Sequence, residues 1–567
     1  MKKMRLVASF TTISALSIGT SMAASPLTGY VPANVKSVCD ISETTFNSAW
    51  VKVALPTKPE PLSIGPFYDK ESGIVYVFPA DGPNFSTAGQ SFTDCAFFEW
   101  SAQMFLWLTS SVNDGAKPSS NAPLHNTGID TPFVFSSEFF YRLSQDGSLI
   151  PQNEGSTMPS KQVRTSKTDE PLATIAQAGG DNVLFSQPDN ELSESSSLVY
   201  YDILTNRPFG YIADANINST SSPKSYTQFA DSSEKICHAI KYGLVNGFVD
   251  NKGETAAALY NLFCPNDPVS ITGTPVFPNS IPQLETAIDF LSMNMEIKVA
   301  WVDASTLKHP ERYIIQKGSI PIYTKVEGEN QMIHSWNKDA DLAMVGMHVV
   351  GSVKGHPEMI WATFEHVDNA PNATYYYLDN SKKKAKHTDS GTQWLFSDGT
   401  AVSTVTPYGV SYTDPDSSVN YINPTTPNQS TPVSTVSNVN RINPWGSIQG
   451  ENSAKENSAV ISTSIAALTQ LQAFYSSQGL NNVKDPRLNY MLTGASWGHN
   501  GEFPTGTTTH TIAGTAAMAN TTMETFQQTY LQKNGDNTGC FSCHGIKSGD
   551  SKFNVSHIYN KINNVEK

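Results

Sequence analysis

Cys540-Phe541-Ser542-Cys543-His544 constrains this chain more than any other stretch, because only 23 of its 567 residues follow it. Two thiols three positions apart lie about one helical turn apart, so each can add to a vinyl group at the edge of the same porphyrin. The adjoining histidine can then turn beneath the ring as an iron ligand. The pattern predicts one covalent haem c, with Cys540 and Cys543 as thioethers and His544 as the proximal ligand. A redox dithiol, half of a zinc site and an ordinary disulfide are the competing readings. The redox pair wants a preceding strand, whereas a helix pattern ending at Asn534-Gly535 comes before the motif. Zinc wants a second close ligand pair, which the other four cysteines do not form. With so short a tail, the haem must be covered by residues earlier in the chain. The distal ligand is open among Met523, Met518, His557 and His510, with His499 a further histidine in a loop and a water-bound position also allowed.

The amino terminus sets the compartment. Lys2, Lys3 and Arg5 precede an apolar stretch from Leu6 to Gly19 and the small-x-small site Ser21-Met22-Ala23, the layout of a cleaved signal peptide. The expected location is periplasmic or secreted, and the mature chain is expected to hold no membrane span. In an oxidising compartment Cys39, Cys95, Cys237 and Cys264 can form two disulfides. Three connectivities exist, and proximity mildly favours Cys237 with Cys264, hence Cys39 with Cys95. Lys+Arg 37 against Asp+Glu 51 gives a net charge of −14, which argues against nucleic acid as a partner.

The texture of the chain predicts an α+β fold: a large mixed, β-rich amino-terminal region over 24–400, followed by a mainly helical carboxy-terminal haem c segment over 445–567. Phe97–Leu108 and Gly253–Phe263 read as helices. A central antiparallel sheet of about five strands fills 293–370, opening with the alternation of Met295, Ile297, Val299 and Trp301 expected of a half-buried strand. Residues 401–444, rich in Ser, Thr, Pro and Asn, read as a linker or loop. Beyond them Ile461, Ile465, Leu468, Leu471 and Phe474 stripe one helix, and Thr521-x-x-Glu524 reads as the capping box of a second.

His348, His356 and His366 fall within nineteen residues of a presumed hairpin, which invites a metal-site reading. Strand parity opposes it, since a turn at Gly351–Gly355 puts His348 near Met359 and sends His366 to the opposite sheet face. An intermediate reading has Glu365 and His366 line a substrate or haem-edge pocket. Lys382-Lys383-Lys384 with Lys386 reads as a solvated basic loop.

Three segments carry a resemblance. Asn489-Tyr490-x-Leu492-x-Gly494-x-x-Trp497, the run Ala519-Asn520-Thr521-Thr522-Met523-Glu524-Thr525-Phe526 before the cysteine motif, and Met359 to Asn369 together resemble secreted bacterial cytochrome c family proteins with a single C-terminal haem motif. The likeness spans about half the chain and implies haem binding and electron transfer. The expected function is single-electron transfer with a redox partner protein or a small-molecule donor or acceptor. Two alternatives follow from the size of the chain: a haem-dependent oxidase, peroxidase or dehydrogenase whose amino-terminal region binds substrate, and a docking protein with a structural haem.

Overall fold

The computed structural model describes residues 26–50, 67–69, 74–76, 94–110, 133–136, 140–143, 147–151, 182–187, 196–206, 209, 295–325, 332–353, 356–389, 394–398, 408–412, 420–424, 438–446, 450–477, 484–499, 512–515, 517–525, 528, 540–545, and 555, 556, 558, 562, 564 and 565. The leader at 1–23, Gly253–Phe263, Cys237 and Cys264 lie outside them.

Strands dominate. After a three-residue helix α1 (Glu43–Thr45) come a small pair, β1 (Phe67–Asp69) and β2 (Ile74–Tyr76), and the core helix α2 (Cys95–Leu108). The main sheet then collects β3 (Phe140–Leu143), β4 (Ser148–Pro151), β5 (Asn182–Val183), β6 (Tyr200–Asn206), β7 (Met295–Asp303), β8 (Ile315–Lys325), β9 (Met332–Val353) and β10 (His356–His366). An outlying hairpin, β11 (Tyr375–Leu378) with β12 (Lys384–His387), forms its own two-stranded sheet. The pair β13 (Tyr408–Tyr412) and β14 (Asn420–Pro424), inside the Ser/Thr/Pro/Asn-rich stretch, returns to the main sheet, β14 pairing with β9. Helix α3 (Ala454–Ser477) follows, then β15 (Tyr490–Gly498), β16 (Ile512–Gly514), the four-residue helix α4 (Phe541–His544) and β17 (Asn564–Val565). The backbone of the sheet runs β16-β15-β10-β9-β7-β6-β3-β4-β17, all antiparallel except the last pair.

This corrects the expected fold class. The carboxy-terminal part is not a mainly helical haem segment: α3 is its one long described helix, and β15, β16 and β17 extend the same sheet that the earlier chain builds. The reason is visible in β15, whose nine residues are all buried. A strand covered on both faces loses the period-two alternation that marks strands in sequence. The same burial overrides the half-buried reading of β7, where even Glu296 is enclosed. The capping box is also displaced. Asn520, not Thr521, caps a single turn by accepting the Thr522 amide at 2.8 Å, and residues 521–525 are turns rather than helix.

Each face of the sheet has its own cover. On one face Phe105 of α2 stacks on Phe364 at 4.4 Å and Phe97 on Trp497 at 3.9 Å, while Val460, Ile461, Leu468 and Leu471 of α3 complete the main core. The Cys39–Cys95 disulfide pins the amino-terminal segment to α2, and the Val38 and Cys39 amides donate to Ser462 of α3 at 3.2 and 3.0 Å. The proximity pairing of Cys39 with Cys95 is thus the one formed. On the opposite face a second cluster of Tyr201, Ala300, Val302, Val345, Phe396, Val439 and Met523 lies under the 517–525 segment. No described helix is long and apolar enough to cross a membrane.

Candidate functional site

Strand β10 lies between β9 and β15, with His348 opposite Thr363, Gly346 opposite Glu365, and Trp361 opposite Ser496. Alternation sends Ile360, Ala362 and Phe364 to the helical face and Trp361, Thr363 and Glu365 to the other. That second face receives two carboxy-terminal segments: 517–525 over Thr363 and Glu365, and α4 over Trp361. The three stretches singled out in the sequence are therefore neighbours in space.

The 517–525 segment is locked down by buried polar contacts. Asn520 donates from Nδ2 to Thr363 Oγ1 at 2.8 Å and to the Phe364 carbonyl at 3.1 Å. Glu365, fully buried, accepts from the Thr521 amide at 2.9 Å and from the Thr521 hydroxyl, and pairs with Arg441 Nη2 at 2.7 Å. An ion left unpaired in such a place costs about 3–5 kcal/mol, so this carboxylate is a fastening rather than a pocket wall. Gly346 and Gly494 permit the close approach. A Cβ on Gly346 would lie 2.5 Å from Thr522 Oγ1, and one on Gly494 would lie 2.5 Å from Thr515 Oγ1.

Beside this lock is a half-buried polar line. Thr363 Oγ1 meets His348 Nδ1 at 2.9 Å, and His348 Nε2 meets Glu524 Oε1 at 2.9 Å. Burial would raise the Glu524 carboxyl, but the facing His348 with its hydrogen bond, Lys298 and the Asn520 amide together hold it down at about 2. His348 therefore faces Thr363 rather than the neighbourhood of Met359, because β9 runs on to Val353, which pairs with His356, and the register of β10 shifts between His356 and Ile360. His366 is on the opposite face, fully buried, with its ring stacked on Tyr313 at 3.7 Å. The side chain of His356 is outside the described residues. Among the described residues no group of three His, Cys, Asp or Glu side chains is arranged to hold a metal ion.

The cysteine motif forms α4, with Cys540 at its start and the His544 amide donating back to the Cys540 carbonyl at 2.9 Å. Phe541 is fully buried and meets Trp361 edge-on at 5.7 Å. The His544 ring lies 4.3 Å from that of Trp361, and its Nδ1 is 2.7 Å from the Val555 carbonyl. A carbonyl only accepts, so Nδ1 carries a proton, and in the neutral ring the lone pair is then on Nε2. The side chain of Cys543 is outside the described residues, as are His557 and His510. Met523 is packed in the second hydrophobic cluster, Met518 lies over Gly494 and Gly446, and His499 is exposed just past the end of β15. Sequence reasoning missed Trp361 and Val555 as parts of the site. Neither has a spacing signal, one being far away in sequence and the other acting through its backbone.

No family model, no curated protein and no solved structure matches this chain.

Proposed function

We propose that the protein is a c-type cytochrome of the periplasm or the secreted fraction that transfers single electrons through one haem attached at Cys540 and Cys543. One observation carries the reading: Nδ1 of His544 donates to the Val555 carbonyl, the arrangement that fixes the tautomer of a metal-binding imidazole and leaves Nε2 for the iron. The residues present suit the group, since one helical turn carries Cys540 and His544 and packs on Trp361 of β10 through Phe541 and His544. When bound, the haem supplies a one-electron couple whose potential responds to its ligands and its burial. This chain's part is to hold the imidazole, to shield it with Trp361, and to keep α4 seated through Phe541. The partner is a redox protein or a small-molecule electron donor or acceptor. The signal-peptide pattern at 1–23 supports export to the compartment where such attachment takes place.

Exchanging both cysteines, Cys540→Ser with Cys543→Ser, should abolish haem-dependent peroxidase staining of the denatured protein on a gel. Staining that survives denaturation in this variant would refute covalent attachment at the motif.

A further inference from the structure

Trp361 is built as a fixed object. It is 5% exposed, and its Nε1 donates to the Glu358 carbonyl at 3.2 Å. Side chains in a regular strand stand roughly perpendicular to it, and residues three apart lie about 10 Å apart along it. Here β10 is irregular between His356 and Ile360, within the stretch the bond spans, and Met359 takes φ +70, a value that side chains other than glycine rarely adopt. Such a departure in a buried residue persists only where the surroundings enforce it. Trp361 belongs to neither hydrophobic cluster described above, and its ring contacts among the described residues are with Phe541 and His544. Neighbouring Ser496 and Val350, its partners on the flanking strands, hold the strand in place on either side.

From this geometry we infer that Trp361 is the positioning residue for His544, setting the rotation of the imidazole about the axis along which Nε2 would bind iron. The inference rests on the haem reading above. Two restraints are needed to fix a planar ring: a hydrogen bond fixes one edge, and a second ring in close contact, here tilted by 46°, hinders rotation about that bond. Val555 provides the first and Trp361 the second. Outer-shell groups of this kind commonly alter metal affinity 10–100-fold when removed.

The test compares wild type, Trp361→Leu and Trp361→Phe as haem-loaded proteins from an export-competent host. In Trp361→Leu, covalent haem per protein should stay at the wild-type level, because the thiols are untouched. Its electron paramagnetic resonance g-values should shift, and added imidazole should displace His544 at roughly 10-fold lower concentration. Trp361→Phe, which keeps an aromatic face, should restore most of both. Wild-type g-values and imidazole sensitivity in Trp361→Leu would overturn the inference. If Trp361→Leu does not fold, Trp361→Phe decides alone: a small shift in the same direction supports the role, and none refutes it. Failure of the underlying reading looks different, since haem would then persist in the double cysteine variant or be absent from wild type.

Discussion

His366 shows how one enclosed side chain reads out its surroundings. The Asp368 amide donates to Nδ1 at 3.2 Å, and Nε2 lies 3.2 Å from the Arg312 carbonyl, so the ring is held neutral with its proton on Nε2. Burial, opposed by Asp368 and reinforced by Arg312, pushes its pKa down to about 4. The unfolded chain binds that proton near pH 6.5, the folded one only near pH 4. Between those values the unfolded state holds more protons, so the contribution of His366 is complete above pH 6.5 and is lost as pH falls. At about 1.4 kcal/mol per pH unit the loss approaches 3 kcal/mol by pH 4. Urea titrations at pH 7, 6, 5 and 4.5 should show wild type losing stability faster than His366→Phe, which starts lower. Parallel curves for the two proteins would count against this assignment.

At the scale of elements, the N-terminal segment buries Leu27, Ile41, Phe46 and Trp50 in the main core and is also tied to α2 by a cross-link. Cys39 and Cys95 are 56 positions apart, and closing a loop of that length in the unfolded chain is worth about 4 kcal/mol. Replacing both by Ser should lower the unfolding free energy by up to that amount, read from the urea midpoint at constant slope; an unchanged midpoint would show that Ser462 and the surrounding core hold the segment alone. Helix α2 was legible in sequence because its apolar run is nearly unbroken, and α3 because its stripe of Ile461, Leu468 and Leu471 keeps helical spacing. The central sheet over 293–370 was legible too, though with about five strands expected where the described residues form four, β7 to β10, since β8 runs unbroken from Ile315 to Lys325. β15 was not, since Leu492, Gly494 and Ala495 are small or apolar on both faces and give no period. Of the site, Cys540 and His544 stand out by spacing, while Trp361 becomes part of it only when β10 passes under α4. The β10, β15 and 519–525 stretches are far apart in sequence, and only the fold brings them into contact.

The size of the chain takes on a physical meaning at the scale of the whole molecule, because the region before residue 445 supplies the floor on which the cysteine motif sits. β10 has β15 along one edge through six residue pairs, from Trp361 with Ser496 to His366 with Tyr490. A chain ending at 444 would expose that edge as unpaired backbone and uncover the apolar face that α3 closes. The same cut would strip the Thr521 donors from Glu365 while leaving its pair with Arg441. The complementary piece, 445–567, would keep α3, β15 and α4 but lose Trp361 and most of its core partners. Residues 24–444 and 445–567 expressed separately should therefore be insoluble or lack near-ultraviolet circular dichroism. Expressed together, they should copurify and recover it, since β15 can pair with β10 without a covalent link. The decisive comparison is the thermal transition of 24–444 alone: a cooperative one at the full-length midpoint would mean that the sheet closes without β15, and that the cysteine motif rides on a separable module.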